Sequence, residues 1–153
     1  MKQKLRETLY QIELLKRKRV QEFLISIGLT PGLGQARILS YLDTHPPVSQ
    51  REIADACMLD VTTMSRALDK MEKQGIILRE RDPHCRRSYR ITLTEQGKEK
   101  AREVRDGFRE VEDILCEGFD EKEIEELTEK LVRMKENLRR DAQGGREEQN
   151  RTG

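Results

Sequence analysis

The sequence predicts a mainly α-helical protein with one small β-hairpin, and three observations lead there. Charged residues make up 39% of the 153 positions against 35% hydrophobic ones, with no tryptophan. That balance suits long amphipathic helices with solvated outer faces and suits a β-sandwich poorly. Apolar residues recur every third or fourth position along most of the chain, which is the helical period. One stretch, from Ile76 to Leu93, instead carries strand-like runs on either side of turn residues.

The elements follow in order. Leu5, Leu9, Ile12 and Leu15 form one stripe, continued by Phe23, Leu24 and Ile27, so a first helix is predicted over 5–27 with Gly28 as its stop. Thr30-Pro31 is expected to restart a helix, with Thr30 as cap and Pro31 at the first helical position. That second helix carries Leu33, Ala36, Ile38, Leu39 and Leu42 and ends at His45-Pro46-Pro47. Ser49-Gln50-Arg51-Glu52 has the capping-box pattern and opens a short helix with Ile53, Ala54 and Cys57 inward. Leu59-Asp60 makes a turn, and Asp60 can cap a helix over 61–74 whose buried stripe is Val61, Met64, Leu68 and Met71. Gly75 stands where a left-handed residue closes a helix. Strands over 76–81 and 88–93 flank the turn residues Asp82-Pro83-His84-Cys85, which gives a hairpin with a basic tip. Thr94 is expected to cap a long helix reaching about Gly118. Asp120 and Glu123 open a last helix to about Arg140, with Ile124, Leu127, Leu131, Met134 and Leu138 at helical spacing. The polar remainder, 141–153, is expected to be a disordered tail.

Several function classes drop out. There are three cysteines, Cys57, Cys85 and Cys116, with no Cys-x-x-Cys spacing, and two histidines, so neither a disulfide framework nor a metal site is expected. No stretch approaches the roughly 18 apolar residues of a membrane span, and Met1 to Arg6 has no apolar signal core, so a cytoplasmic protein is expected. The chain shows no Gly-rich phosphate loop, no Ser/His/Asp arrangement and no metal-ligand cluster, so neither an enzyme nor a cofactor is expected.

Binding chemistry is better supplied. The net charge is only +1, but from Val61 to Arg90 the basic residues Arg66, Lys70, Lys73, Arg79, Arg81, Arg86, Arg87 and Arg90 outnumber Asp69, Glu72, Glu80 and Asp82. Locally basic character fits a phosphate-facing surface and equally an ordinary solvated face. Two short helices joined by a tight turn, then a hairpin, make the winged helix-turn-helix plan, in which the second helix enters the major groove of duplex DNA. On the helix from Val61, the outward positions include Thr62, Thr63, Ser65, Arg66 and Lys70. Thr and Ser suit bases or phosphates, and Arg66 suits bidentate bonding to guanine. Lys70 and Lys73 suit phosphate, Ser49 and Gln50 join the candidate contacts, and Arg86 and Arg87 at the hairpin tip suit a narrow minor groove.

At this point the sequence resembles a known family. Leu29-Thr30-Pro31, Ile38-Leu39 and Ser49 to Ala54 look like helices two and three of the MarR family of transcriptional regulators. Thr62 to Gly75 looks like the family's recognition helix with its closing glycine. Asp82-Pro83-His84-Cys85-Arg86-Arg87, followed by Leu93-Thr94-Glu95-Gln96-Gly97, is similar to the family's wing signature, Asp-Pro-x-Asp-Arg-Arg with Leu-Thr-x-x-Gly after it. The resemblance implies that Arg87 enters the minor groove. Cys85 replaces the second Asp of that signature, which in the family helps to hold the wing arginine, and Asp82 is the candidate substitute.

The expected organisation is an N-terminal dimerisation helix (1–28), a winged helix-turn-helix domain (29–94), C-terminal dimerisation helices (95–140) and the tail. Leu9, Ile12, Leu115, Ile124, Leu127, Leu131 and Leu138 need a partner surface, and a homodimer would space two recognition helices about 34 Å apart for a pseudo-palindromic operator. The resemblance also implies a small-molecule effector pocket, for which Phe23, Ile27, Tyr41 and Phe108 are candidates, and repression as the commoner outcome. Cys85, beside Arg86 and Arg87, is a candidate redox switch. A winged-helix module for protein–protein contact without DNA is the reading from another class.

Overall fold

The computed structural model describes residues 1–45 and 47–149. The chain forms two units, Met1–Glu112 and a second that begins at Asp113. The order is α1 (Lys2–Ser26), α2 (Gln35–Thr44), β1 (Val48–Ser49), α3 (Gln50–Cys57), α4 (Val61–Lys73), β2 (Ile77–Asp82), β3 (Cys85–Leu93), α5 (Glu95–Cys116) and α6 (Glu121–Gln149). The mainly helical class with one small sheet is as the sequence predicts, and among the described residues no helix is long and apolar enough to cross a membrane.

The core of the first unit forms where the short amphipathic helices meet the sheet. Ile38 and Leu39 of α2, Ile53 of α3, and Met64, Leu68 and Met71 of α4 are fully buried with Ile77, Ile91 and Val104. The sheet has three antiparallel strands in the order β1-β3-β2, with Val48 opposite Ile91 and Ile77 opposite Leu93. The short strand β1 was not legible in the sequence, because its pairing with β3 is not local.

Two readings at helix N-termini differ from expectation. Helix α2 begins at Gln35, not at Pro31, because Gly34 takes a left-handed φ of +74° and stands as its N-cap. Thr30 therefore caps no helix; its N–H donates to Gln35 Oε1 at 2.9 Å and its hydroxyl accepts from Lys70 Nζ. Val61, expected in the buried stripe, is 77% exposed. It is the first residue of α4, and its side chain points back toward the N-terminus, past the end of the core.

The join between the sheet and α5 explains the Leu-Thr-x-x-Gly spacing. The Thr94 hydroxyl donates to the Gly75 carbonyl at 2.6 Å and accepts from the Gly97 N–H at 3.0 Å. A Cβ on Gly97 would lie 1.9 Å from the Ile76 carbonyl oxygen, so only glycine lets α5 approach the start of β2 this closely.

In the second unit, Asp120 and Glu123 form a reciprocal cap, each backbone N–H donating to the other's carboxylate at 2.9 Å. Helix α6 continues past Arg140 to Gln149, where a structureless tail was expected. Lengthening an existing helix incurs no nucleation cost, which short polar segments such as Arg146 to Gln149 exploit. The expected tail's last residues, 150–153, lie outside the described residues.

Candidate nucleic-acid interface

Local capping sets the pose of the helix-turn-helix. The Ser49 hydroxyl accepts from the Glu52 N–H at 3.2 Å, and the Glu52 carboxylate accepts from the Ser49 N–H at 2.7 Å, so the predicted capping box opens α3. Met58 turns the chain in a left-handed conformation (φ +52°) and leads to Asp60. The Asp60 carboxylate accepts both the N–H (2.8 Å) and the hydroxyl (2.7 Å) of Thr63. Those bonds, the backbone one first, hold the Asp60 carboxyl below its ordinary value.

The predicted site residues of α4 then separate by what they already do. Thr62, Arg66 and Lys73 are exposed, and Ser65 is half-buried. Thr63 has its hydroxyl proton committed to Asp60, and Lys70 donates to Thr30. Ser49 and Gln50 are half-buried at the start of α3.

Arg79 was not among the predicted site residues, and it changes the electrostatics of α4. Its guanidinium donates to Asp69 at 2.5 Å and to Glu72 at 2.6 and 3.0 Å, with the Arg79 side chain only 19% exposed. Burial pulls its pKa down, but the two carboxylates more than offset that and leave it raised. The acidic residues of the candidate recognition helix are thus neutralised from β2. The signal in the sequence is strand alternation: Arg79 follows buried Ile77 by two residues and shares its face.

The wing also differs from expectation. Asp82 pairs with Cys85, so the turn is Pro83-His84, closed by the His84 N–H donating to Asp82 Oδ1 at 2.9 Å. Arg81 already faces Tyr89, which leaves Arg86, Arg87 and Ser88 in a bulge on β3. Arg86 and Arg87 therefore sit on the flank of the hairpin and not at its tip, and both are exposed. Arg81 fixes the bulge, its guanidinium donating to the Arg86 carbonyl at 2.7 Å and lying 5.3 Å from the centre of the Tyr89 ring. Asp82 supports the wing through Arg90 at 3.4 Å, not through Arg86 or Arg87.

These elements enclose a groove of about 680 Å³. Gln50 and Arg51 of α3, Val61 of α4, and Arg87 and Tyr89 of β3 line it. The candidate effector residues lie elsewhere: Phe23 meets Phe108 edge-on at 6.4 Å, and Tyr41 stacks on His45 at 3.9 Å. Ile27, Tyr41 and Phe108 pack against the core, and Phe108 also borders a hollow of about 350 Å³ between α2 and α5. Cys57 is buried, and burial raises its thiol pKa. Cys85 is exposed on the wing. No group of three or more His, Cys, Asp or Glu among the described residues is placed to hold a metal.

Comparison with known proteins agrees with this architecture. The MarR family model matches residues 27–88. The HTH-type transcriptional regulator YybA of Bacillus subtilis (strain 168) is 29% identical over 108 residues, 71% of this chain and 72% of YybA. The crystal structure of the transcriptional regulator SlyA is 30% identical, with a TM-score of 0.75 over 90% of this chain and 94% of SlyA. The S. aureus MepR–DNA complex is 25% identical, with a TM-score of 0.76 over 86% of this chain and 96% of that one. Capped helix-turn-helix, bulged wing and the Thr94–Gly97 join, together with these likenesses, show that the chain belongs to the MarR family.

Proposed function

We propose that the protein is a sequence-specific regulator of transcription that binds duplex DNA as a homodimer on a pseudo-palindromic operator, and that a small-molecule or stress signal releases it from repression. The groove carries the DNA reading: the exposed start of α4 forms one wall and Arg87 of the wing another. A helix fits the major groove, so Thr62, Ser65 and Arg66 reach base edges while Lys70 and Lys73 meet phosphate. Arg86 and Arg87 follow into the neighbouring minor groove. With Asp69 and Glu72 clasped by Arg79, α4 offers phosphate little repulsion. The likeness to MepR solved with DNA supports the same reading.

The dimer reading rests on apolar surface that each unit leaves open. Leu5, Leu9, Ile12 and Leu15 of α1 are exposed, as are Leu115, Leu127, Leu131 and Leu138 in the second unit. Repression and release by an effector follow from the family resemblance, with Phe108 at its hollow as the nearest candidate contact.

Selection of bound duplexes from a random-sequence pool tests the reading. The expected result is a pseudo-palindrome with half-sites about one helical turn apart, bound with an affinity that falls steeply as salt rises. Absence of enrichment, with binding indifferent to salt, would overturn it.

A further inference from the structure

Among the described residues Gln35 is the fully buried polar side chain of the core, at 1% exposure. Burying an amide is unfavourable unless its bonds are made, and a leucine would fill the same space without that demand. Its bonds lead to one place. Gln35 Oε1 accepts from the Thr30 N–H at 2.9 Å, and Gln35 Nε2 donates to Gln74 Oε1 at 3.4 Å. Gln74, the C-cap of α4, donates in turn to the Gly28 carbonyl at 3.4 Å. Lys70, one turn earlier on α4, donates to the Thr30 hydroxyl. From α5, Lys100 donates to the Ile27 carbonyl at 2.8 Å. The loop 27–34 between α1 and α2 is thus fastened by Gln35 of α2 and from two further helices, α4 and α5, of which α4 supplies two of the fasteners. At its far end a Cβ on Gly34 would lie 2.6 Å from Leu59, one residue before the Asp60 cap of α4. The loop therefore touches α4 near both ends.

We infer that Gln35 is a positioning residue for DNA binding: it fixes the 27–34 loop so that the Thr30 hydroxyl orients the Lys70 ammonium on the recognition helix. An ammonium has three N–H donors, so one bond to Thr30 leaves two for phosphate. This inference rests on the DNA-binding reading above.

The test uses the full-length protein and a duplex selected from the random pool. Affinity is measured across salt for wild type, Gln35→Leu and Thr30→Val, each alone and combined with Lys70→Met, with melting temperatures alongside. Expected are losses of about threefold for both Gln35→Leu and Thr30→Val, shrinking below about 1.5-fold in the Lys70→Met background. A merely structural glutamine gives instead a loss that tracks melting temperature and is the same size with or without Lys70, which would overturn the inference. So would unchanged affinity in Gln35→Leu, or tighter binding in Thr30→Val. Should Gln35→Leu not fold, Gln35→Met, which also lacks the amide, takes its place in the same cycle. A wild-type protein that binds no duplex removes the DNA reading itself, and this inference with it, whereas a binding wild type with an additive cycle removes only the inference.

Discussion

Asp60 and Glu52 act as anions. Backbone N–H bonds, from Thr63 to Asp60 and from Ser49 to Glu52, are the leading reason that both carboxyls titrate below their ordinary range. Their unfolded values lie near 4. A depressed carboxyl stabilises the fold fully above its unfolded value and loses that contribution as pH falls through its folded one. The melting temperature should therefore change little through these two groups from about pH 8 to 5 and drop below about pH 4. An Asp60→Asn variant, whose amide caps without a charge, should show a shallower acid drop. Thermal melts by circular dichroism across that range check it, and equal slopes would refute the assignment. The two caps were legible in the sequence because their partners lie three positions away. The exposure of Val61 was not, since periodicity counts a stripe but does not say where the core stops. Nor was Arg79 as a clasp, whose carboxylates lie on another element.

At the scale of elements, the contact between α5 and the start of β2 leaves no room for a Cβ at Gly97. Gly97→Ala puts a methyl against a backbone carbonyl, which cannot rotate away as a side chain can. The expected cost is about 1–3 kcal/mol, as for overpacked sites generally. Chemical denaturation measures it, and a midpoint equal to wild type would show that the join is looser than its geometry. The Thr94 cap and the helix stops at Gly75 and Gly118 could be read from local pattern. The late start of α2 could not be, because Thr30-Pro31 has sound start chemistry and loses to the glycines that follow. The wing's two strands were legible, but its bulge depends on which residues pair across the hairpin.

For the whole molecule, oligomeric state is the sharpest question. The apolar stripes of α1 and α6 were visible in the sequence, and their exposure is what the structure adds. Light scattering at micromolar concentration should give about twice the chain mass of 17.9 kDa, with a melting temperature that rises with protein concentration. Leu131→Glu should shift the protein toward single chains, because a charge would then have to be buried in the interface. A wild-type mass of one chain would contradict the dimer. The fold class was legible because capping, turn chemistry and periodicity agree, and the family from the motifs between Leu29 and Gly97. The split of the chain into two units was not, since α5 runs across the boundary as one continuous helix.

The wing separates its end from its charge. Arg86 and Arg87 are located by the Arg81–Tyr89 pair and by the bond from Arg81 to the Arg86 carbonyl, while Pro83-His84 only closes the chain. Changes of sequence at Pro83-His84 are expected to leave the arginines where they are. Evolution is thereby free to vary the tip of the hairpin independently of its charged flank, and an experimenter has the same freedom to place a reporter there.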